Sequence, residues 1–234
     1  MHDFAIAVFV KTPKFSPIKT RLAKSTNQEF SDEFYFRSVE ITREVISYVQ
    51  KDFPNVTPYW AVAEKNGLSS GLWSGFEKIW QGDYENFGDR LFQVYSHLIK
   101  RHRFVILVGA DSPLIHIDQF TETFENLESG IDFVLGPAYD GGFYLLGGSI
   151  EIPKAIWKSV YYSRSTTKIQ LKGLLQDIGT IKELDPTWDI DTEDDVFSML
   201  KAVNLNESLL PCQASIIRWM SGYPHSVSPR NLST

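Results

Sequence analysis

The stretch Phe104-Val-Ile-Leu-Val-Gly-Ala-Asp-Ser-Pro113 decides the fold of this chain. Its five leading residues are all apolar, a run typical of a central strand in a parallel sheet that is covered on both faces. Pro113 has no amide donor and so ends the strand. In open α/β sheets the carboxyl ends of the strands line the ligand crevice, so we predict that Asp111 faces a ligand. The alternative, a cap for the helix suggested near Ile117, places Asp111 too far upstream.

The composition is that of an ordinary globular protein. The chain has 234 residues, of which 43% are hydrophobic and 22% charged, enough for one sizeable core in a single domain. The net charge of -6 and the absence of a basic stripe for a phosphate backbone argue against nucleic acid as the main partner, so we expect none. Cys212 is the only cysteine in the sequence, so there is no internal disulfide, and a reducing compartment is favoured.

The start of the chain and its hydropathy predict a cytoplasmic location. The apolar run at residues 4–10 has no basic leader and no small-residue cleavage site, so we expect no signal peptide. No apolar run approaches the length of a membrane span.

A basic loop follows that first apolar run, which we predict to be a strand. The loop carries four cations and two prolines, namely Lys11, Lys14, Lys19, Arg21, Pro13 and Pro17. Lysine offers a compact charge, and arginine a planar fork that holds two phosphate oxygens. Because the loop leaves a buried strand at the same sheet edge as Asp111, we predict that it binds a diphosphate; a solvated surface loop is the alternative. No glycine precedes Gly67, which excludes a Walker-type cradle and a dinucleotide fingerprint here.

Further elements complete an α/β pattern. Apolar periodicity predicts helices near residues 27–51, 86–99, 118–128, 168–175, 192–203 and 215–220, and short strands near 56–63, 79–82 and 179–184. Gly88-Asp89-Arg90 lies near the start of one helix. This motif has two interpretations. Arg90 faces the ligand cleft in one, and Asp89 and Arg90 form an ordinary surface pair in the other.

Residues 132–148 are predicted to form a strand, a turn and a second strand. Asp140 lies at the tip, followed by Gly141 and Gly142, which permit positive φ and a close approach of backbone to ligand. An Asp-Gly hairpin turn with no further role is the alternative. Tyr139 and the extra glycine are more than a bare hairpin needs, so we favour a ligand site.

A second acidic segment precedes the helix near 192–203. Asp189 and Asp191 are two positions apart, so in extended backbone their side chains point to the same side. Mg2+ takes oxygen ligands and needs only one or two protein carboxylates when substrate phosphates supply the rest. We predict a metal site; an acidic helix start that complements the helix dipole is the alternative.

Several of these stretches, in this order, resemble motifs of one bacterial family. They are Lys19-Thr20-Arg21-Leu22, Gly88-Asp89-Arg90, Gly109-Ala-Asp-Ser-Pro113, Gly136-Pro-Ala-Tyr-Asp-Gly-Gly142 and Asp189-Ile-Asp-Thr-Glu-Asp-Asp195. Over roughly residues 4 to 200 the chain resembles the rSAM/selenodomain-associated transferase family, which has the GT-A fold of nucleotide-diphospho-sugar transferases. Two departures are Ser16, where a glycine is usual, and Tyr162-Ser163, where a Trp-Ser is expected.

The resemblance implies a single-domain GT-A fold of the α/β class, with a mostly parallel central sheet flanked by helices. It implies that a nucleotide lies over the N-terminal half, with Mg2+ or Mn2+ bridging the diphosphate, Asp111 and Asp191, and with Asp189 beside them. The predicted nucleotide-binding residues are Lys11, Lys19, Thr20, Arg21, Arg90, Gly141 and Gly142, and the predicted catalytic residues are Asp111, Asp140 and Arg21. We expect residues 1–204 to form the transferase domain and residues 205–234 a helical extension with a loose tail.

Our first hypothesis is a metal-dependent glycosyltransferase-like enzyme that uses a nucleotide-diphospho-sugar, with the acceptor open. The rival is nucleotidyl transfer, in which a nucleoside triphosphate loses pyrophosphate, because Thr20-Arg21-Leu22 resembles a motif of those enzymes too. The missing glycine-rich lead-in argues against it. A nucleotide-binding protein without turnover is the third hypothesis, and a homodimer stays open.

Overall fold

A seven-stranded sheet forms the centre of the molecule, which a computed structural model describes at residues 3–203 and 209–223. The strands are β1 (Phe4–Val10), β2 (Val56–Val62), β3 (Glu77–Trp80), β4 (Phe104–Gly109), β5 (Phe133–Pro137), β6 (Phe143–Gly148) and β7 (Ile181–Glu183). Their order across the sheet is β3-β2-β1-β4-β6-β5-β7, so β4 is the middle strand. β6 runs antiparallel to its two neighbours, and the other strand pairs are parallel.

Helices cover both faces of this sheet. They are α1 (Thr20–Ser25), α2 (Gln28–Asp52), α3 (Phe87–Leu98), α4 (Ile117–Glu128), α5 (Lys154–Ser159), α6 (Thr167–Gln176), α7 (Glu193–Ala202) and α8 (Pro211–Ser221). Two short 3-10 helices, Lys65–Ser69 and Gly71–Trp73, connect β2 to β3. Within the described ranges, no helix has the length and apolar character needed to cross a membrane. The mostly parallel sheet flanked by helices confirms the predicted fold class.

β1 shows why the apolar runs of this sequence are continuous. Its alternate residues enter two cores on opposite faces of the sheet. Phe4, Ile6, Val8 and Val10 pack with residues of α2 and α4, whereas Ala5 and Ala7 pack with residues of α3. A strand that is buried on both faces has no solvent-facing side, so polar residues do not alternate along it.

The structure differs from the sequence-based expectation at a few points. The basic loop ends at Lys19, and Thr20 and Arg21 already belong to the first turn of α1. α1 and α5 were not predicted, because each has only six residues and such a short segment shows no helical period. Trp73, between β2 and β3, is a core residue whose Nε1 donates to Thr12 Oγ1 at 3.0 Å.

α8 packs onto the same body as the rest of the chain. Ile216, Ile217 and Met220 lie in the core cluster that contains the buried residues of α2. Tyr223, the first residue of the predicted tail (residues 223–234), packs on Phe30, with ring centroids 4.1 Å apart. The rest of the predicted tail, residues 224–234, and residues 205–208 of the predicted extension lie outside the described residues.

Gln213 joins α8 to the loop that follows β4. Its side chain is buried, and Nε2 donates to the carbonyl oxygens of Pro113 at 3.1 Å and Ile115 at 2.8 Å. Gln213→Leu leaves both buried carbonyls without this donor, so we expect the free energy of unfolding to fall by about 2 kcal/mol. Urea unfolding followed by circular dichroism measures the change. Gln176→Leu, at the exposed end of α6, is the control; equal losses in the two variants would contradict this role for Gln213.

Candidate active site

A cavity of about 600 Å³ opens at the carboxyl ends of β1 and β4. Its wall also includes residues of the β5–β6 turn and of the segments that precede α3, α6 and α7. The predicted site residues that line it are Lys11, Lys19, Thr20, Arg21, Arg90, Asp111, Asp140, Gly142, Asp189 and Asp191. Gly141 is not among the lining residues.

Three carboxylates converge in this cavity. Asp111 comes two residues after β4, and Asp189 and Asp191 lie in the extended segment before α7. A hydrogen bond from Ile190 N to Asp111 O, 3.2 Å long, holds the two segments side by side. One oxygen atom from each carboxylate lies within 4.8 Å of the other two. The structure thus brings together the three residues that were predicted to share a cation.

The start of α7 explains why Asp189 and Asp191 are available for this cluster. Thr192 caps the helix, and Asp195 Oδ2 accepts hydrogen bonds from Thr192 N at 2.7 Å and Asp191 N at 3.1 Å. Ile190 is fully buried, so the two acids on either side of it point away from the core. The alternative for this acidic segment was a role at the start of the helix. In the structure Asp195 has that role.

A buried ammonium group fills the centre of the cluster. Lys19 Nζ lies 2.8 Å from Asp111 Oδ2, 2.9 Å from Asp191 Oδ1 and 3.5 Å from Asp189 Oδ1, and its side chain is only 5% exposed. Arg21, in the first turn of α1, pairs with the other oxygen of Asp191. Burial alone would lower the pKa of Lys19, but the three carboxylates raise it above its ordinary value. Lys19 is therefore charged at neutral pH.

Two cations face three carboxylates, so one carboxylate lacks a full counter-charge. That carboxylate is Asp189. Burial, and then the neighbouring Asp111, raise the pKa of Asp189 well above its usual range. Burial would also raise the pKa of Asp191, but Lys19 and Arg21 outweigh it and lower that pKa. Asp189 Oδ1 is buried and has no hydrogen-bond partner within the described part of the chain.

Asp140 lies at the turn between β5 and β6, as predicted from the hairpin pattern. Its Oδ1 accepts a hydrogen bond from Gly142 N at 2.8 Å, and burial raises its pKa. Gly141 has a φ of 89°, and a Cβ at this position would collide with the backbone of Ser165. Gly141 therefore allows the turn to pack against the loop before α6, while Asp140 reaches the cavity.

Asp89 and Arg90 have different partners. Asp89 Oδ1 lies 3.0 Å from Lys154 Nζ, whereas Arg90 Nε donates to Tyr84 O at 2.7 Å. The amide of Gly88 is occupied by the capping side chain of Asn86 at 2.7 Å. The surface Asp-Arg pair is thus not formed, and of these three motif residues only Arg90 lines the cavity.

Gln81 lines the cavity and was missed in the sequence. It is buried directly after β3, and its Nε2 donates to Ala61 O at 2.7 Å and Val10 O at 3.3 Å. Two carbonyl acceptors fix the amide orientation, which leaves Oε1 as an oriented acceptor. The signal that could have found Gln81 is the one used for Asp111, a polar residue at the carboxyl end of a parallel strand.

An aromatic group forms another part of the wall. Phe87 is 42% exposed and makes edge contacts with Phe9 at 5.9 Å and Tyr162 at 5.4 Å between ring centroids. All three side chains line the cavity, and such a surface suits a flat ligand group. These residues were missed because they come from three separate segments, and aromatic residues taken singly indicate only a core.

Comparison with known proteins identifies the fold. Residues 51–164, just under half of the chain, match a family model described as an uncharacterized protein conserved in bacteria (DUF2064). No curated protein matches the sequence. A solved structure from Desulfovibrio desulfuricans G20, provisionally described as a nucleotide-diphospho-sugar transferase, has a TM-score of 0.79 at 19% identity and covers 94% of this chain and 96% of its own.

Two further solved structures are more distant. The 4-diphosphocytidyl-2C-methyl-D-erythritol synthase of Anaerococcus prevotii DSM 20548 has a TM-score of 0.54 at 11% identity, covering 84% of this chain and 96% of its own. Rv0371c from Mycobacterium tuberculosis H37Rv has a TM-score of 0.52 at 12% identity, covering 86% of this chain and 100% of its own. At these identities the likeness shows the fold, and it confirms the predicted nucleotide-diphospho-sugar transferase fold.

The charge distribution in the cluster predicts unequal effects of removing its acids. Asp191→Asn removes the carboxylate that pairs with both Lys19 and Arg21, so we expect it to lower the free energy of unfolding by about 2 kcal/mol. Asp189→Asn replaces the carboxylate whose pKa is already raised, so we expect a change below about 1 kcal/mol. Urea unfolding at neutral pH with a metal chelator measures both. A larger loss in Asp189→Asn than in Asp191→Asn would contradict the assignment of the surplus charge.

Proposed function

We propose that this protein is a metal-dependent, glycosyltransferase-like enzyme that uses a nucleotide-diphospho-sugar. The observation that carries the proposal is the cluster of Asp111, Asp189 and Asp191 with Lys19 and Arg21, on the wall of a cavity in a nucleotide-diphospho-sugar transferase fold. The selenodomain-associated transferases, whose motifs include these residues, are the family to which we assign it. We place the enzyme in the cytoplasm, and a homodimer stays a prediction.

The carboxylate cluster fits a hard divalent cation. Mg2+ and Mn2+ prefer oxygen ligands, and three carboxylate oxygens within 4.8 Å of one another can contact one ion. The buried oxygen of Asp189 that lacks a hydrogen-bond partner among the described residues is a suitable ligand atom. When bound, the ion would supply positive charge that offsets the charge growing on the leaving diphosphate.

The basic loop and α1 supply the side chains for the diphosphate. Arg21 is 54% exposed although it contacts Asp191, so its guanidinium can also bind a phosphate in the cavity. Lys11, at the start of the loop, and Thr20, in the first turn of α1, line the same cavity. Since no glycine precedes Gly67, side chains rather than a glycine-rich run of amides hold the phosphates.

Asp140 is our candidate for the acceptor side of the reaction. It lines the cavity, and its raised pKa makes its carboxylate a better proton acceptor near neutral pH. In this proposal Asp140 orients the acceptor group or removes its proton. The hydrogen bond from Gly142 N fixes the carboxylate on the turn, so the orientation does not depend on a flexible side chain.

Nucleotidyl transfer is the second candidate. The specific observation in its favour is the fold shared with the Anaerococcus prevotii synthase, together with the Thr20-Arg21-Leu22 motif at the start of α1. In that reaction a nucleoside triphosphate loses pyrophosphate to a phosphorylated substrate. The loop after β1 lacks the glycine-rich lead-in that wraps a triphosphate, so we rank this candidate second.

Product analysis separates the two reactions. We expect a nucleotide-diphospho-sugar with Mg2+ or Mn2+ to yield nucleoside diphosphate, by transfer or by slow hydrolysis, as measured by chromatography. Asp111→Asn should remove this turnover and leave the circular dichroism spectrum unchanged, since Asp111 follows β4 and contributes charge rather than apolar packing. Pyrophosphate release from a nucleoside triphosphate, abolished in Asp111→Asn, would overturn the proposal in favour of nucleotidyl transfer.

Arg21 should contribute to the affinity for the phosphates of a nucleotide and not to the affinity for its nucleoside. We expect Arg21→Ala to weaken nucleoside diphosphate binding about tenfold or more, with nucleoside binding nearly unchanged, because guanidinium contacts go to phosphate oxygens. Calorimetric titration with both ligands measures this difference. Arg103→Ala, an exposed arginine directly before β4 at the opposite sheet edge, is the control. Equal losses for both ligands would mean that Arg21 shapes the base pocket or the fold.

A further inference from the structure

Lys19 contacts the same carboxylates that would hold a divalent cation. Its Nζ lies 2.8 Å from Asp111 Oδ2 and 2.9 Å from Asp191 Oδ1, with Asp189 Oδ1 at 3.5 Å. These are also the three residues whose oxygen atoms lie within 4.8 Å of one another. An ammonium group and a divalent ion that use the same oxygens repel each other at close range. The cluster can therefore hold one of them at a time.

The backbone around Lys19 is shaped for this contact. Lys19 has φ 40° and ψ 43°, the left-handed region that is unfavourable for a residue with a Cβ. Its carbonyl oxygen accepts hydrogen bonds from Ala23 N at 2.9 Å and Ser31 Oγ at 3.0 Å. Surrounding contacts thus stabilise an unfavourable conformation that points a charged side chain into the cluster, which is a mark of functional positions.

Charge balance favours an exchange of the two cations. With Lys19 in the cluster, the three carboxylates exceed the charges of Lys19 and Arg21 by one. With a divalent ion in place of Lys19, the ion and Arg21 match the three carboxylates, and the ammonium is released for another anion. Residues 17–21 all line the cavity, so a diphosphate there lies within reach of the flexible lysine stem.

We propose that Lys19 and a divalent cation exchange places in this cluster: Lys19 holds the three carboxylates in the empty site and moves to the diphosphate when the metal binds. The identity of the incoming diphosphate rests on the proposed function, whereas the competition between ammonium and metal does not. Metal alone then binds weakly, because it must displace an ion-paired ammonium. A diphosphate favours metal binding because it offers Lys19 a new partner, and by linkage the metal favours the diphosphate equally.

The test is a titration with Mn2+ alone, in which electron paramagnetic resonance measures the free ion. Lys19→Met removes the ammonium and keeps an apolar stem of similar length. We expect this variant to bind Mn2+ about tenfold more tightly than the unmodified protein, because no cation has to be displaced. Lys19→Arg keeps a cation in the cluster and should stay as weak as the unmodified protein.

Lys14→Met is the matched control for this titration. Lys14 lies in the same loop, is exposed and also has a positive φ of 73°, so the substitution removes the same charge from a similar backbone. We expect its Mn2+ affinity to change by less than about twofold, since an exposed charge is screened by salt. Lys19→Gln, which retains a hydrogen-bond donor for the carboxylates, should also tighten Mn2+ binding. If Lys19→Met does not fold, Lys19→Gln replaces it in the test.

The exchange is overturned if the neutral Lys19 variants bind Mn2+ no more tightly than Lys14→Met, or if neither binds Mn2+ at all. These outcomes are distinguishable from a failure of the proposed function. If nucleoside diphosphates do not bind the unmodified protein, the proposed function falls, while the Mn2+ titration still decides the exchange because it contains no nucleotide.

Discussion

The hydrogen bond between Ile190 N and Asp111 O is the contact on which the candidate site depends. It joins the end of β4 to the segment before α7 and so places three carboxylates together in a partly buried position. Like charges at this separation destabilise the folded state unless cations compensate them. The compensation comes from Lys19, which is 172 positions away from Asp191 in the chain. The left-handed conformation of Lys19, with a φ of 40°, thus places its ammonium group against acids from two distant segments.

Sheet topology explains why so many segments reach one cavity. β5 and β7 are parallel to each other, and β6 is antiparallel to both β4 and β5, so β1, β4, β5 and β7 all end at the same edge. The loop after β1, Asp111 after β4, Asp140 after β5 and the acidic segment after β7 leave from that edge. The antiparallel β6 is what allows the turn with Asp140 to lie there, because a hairpin tip follows the carboxyl end of its first strand.

Much of this arrangement could be predicted from the sequence, because its main signals are local. A continuous apolar run followed by Asp111 indicates a buried strand and its carboxyl end, and the two-residue spacing of Asp189 and Asp191 places their side chains on one side. The partner of Lys19 could not be predicted, since a basic loop indicates an anion but not whether that anion is a phosphate or a carboxylate of the same chain. Gln81 carries the same local signal as Asp111, but the orientation of its amide depends on carbonyl groups of two other strands and could not be predicted.

The different exposure of the two cations bears on the proposed binding of an anionic nucleotide by this acidic protein. The chain carries a net charge of -6, and the cluster adds local negative charge, so long-range electrostatics do not attract a phosphate. Lys19, 5% exposed, is fully engaged with carboxylates, and Arg21, 54% exposed, shares its charge with Asp191. The metal-free cavity is therefore a poor anion site. In our proposal a divalent ion in the cluster would reverse this condition, because the ion and Arg21 together match the three carboxylates and Lys19 becomes available to phosphate. Metal and nucleotide would then favour each other's binding.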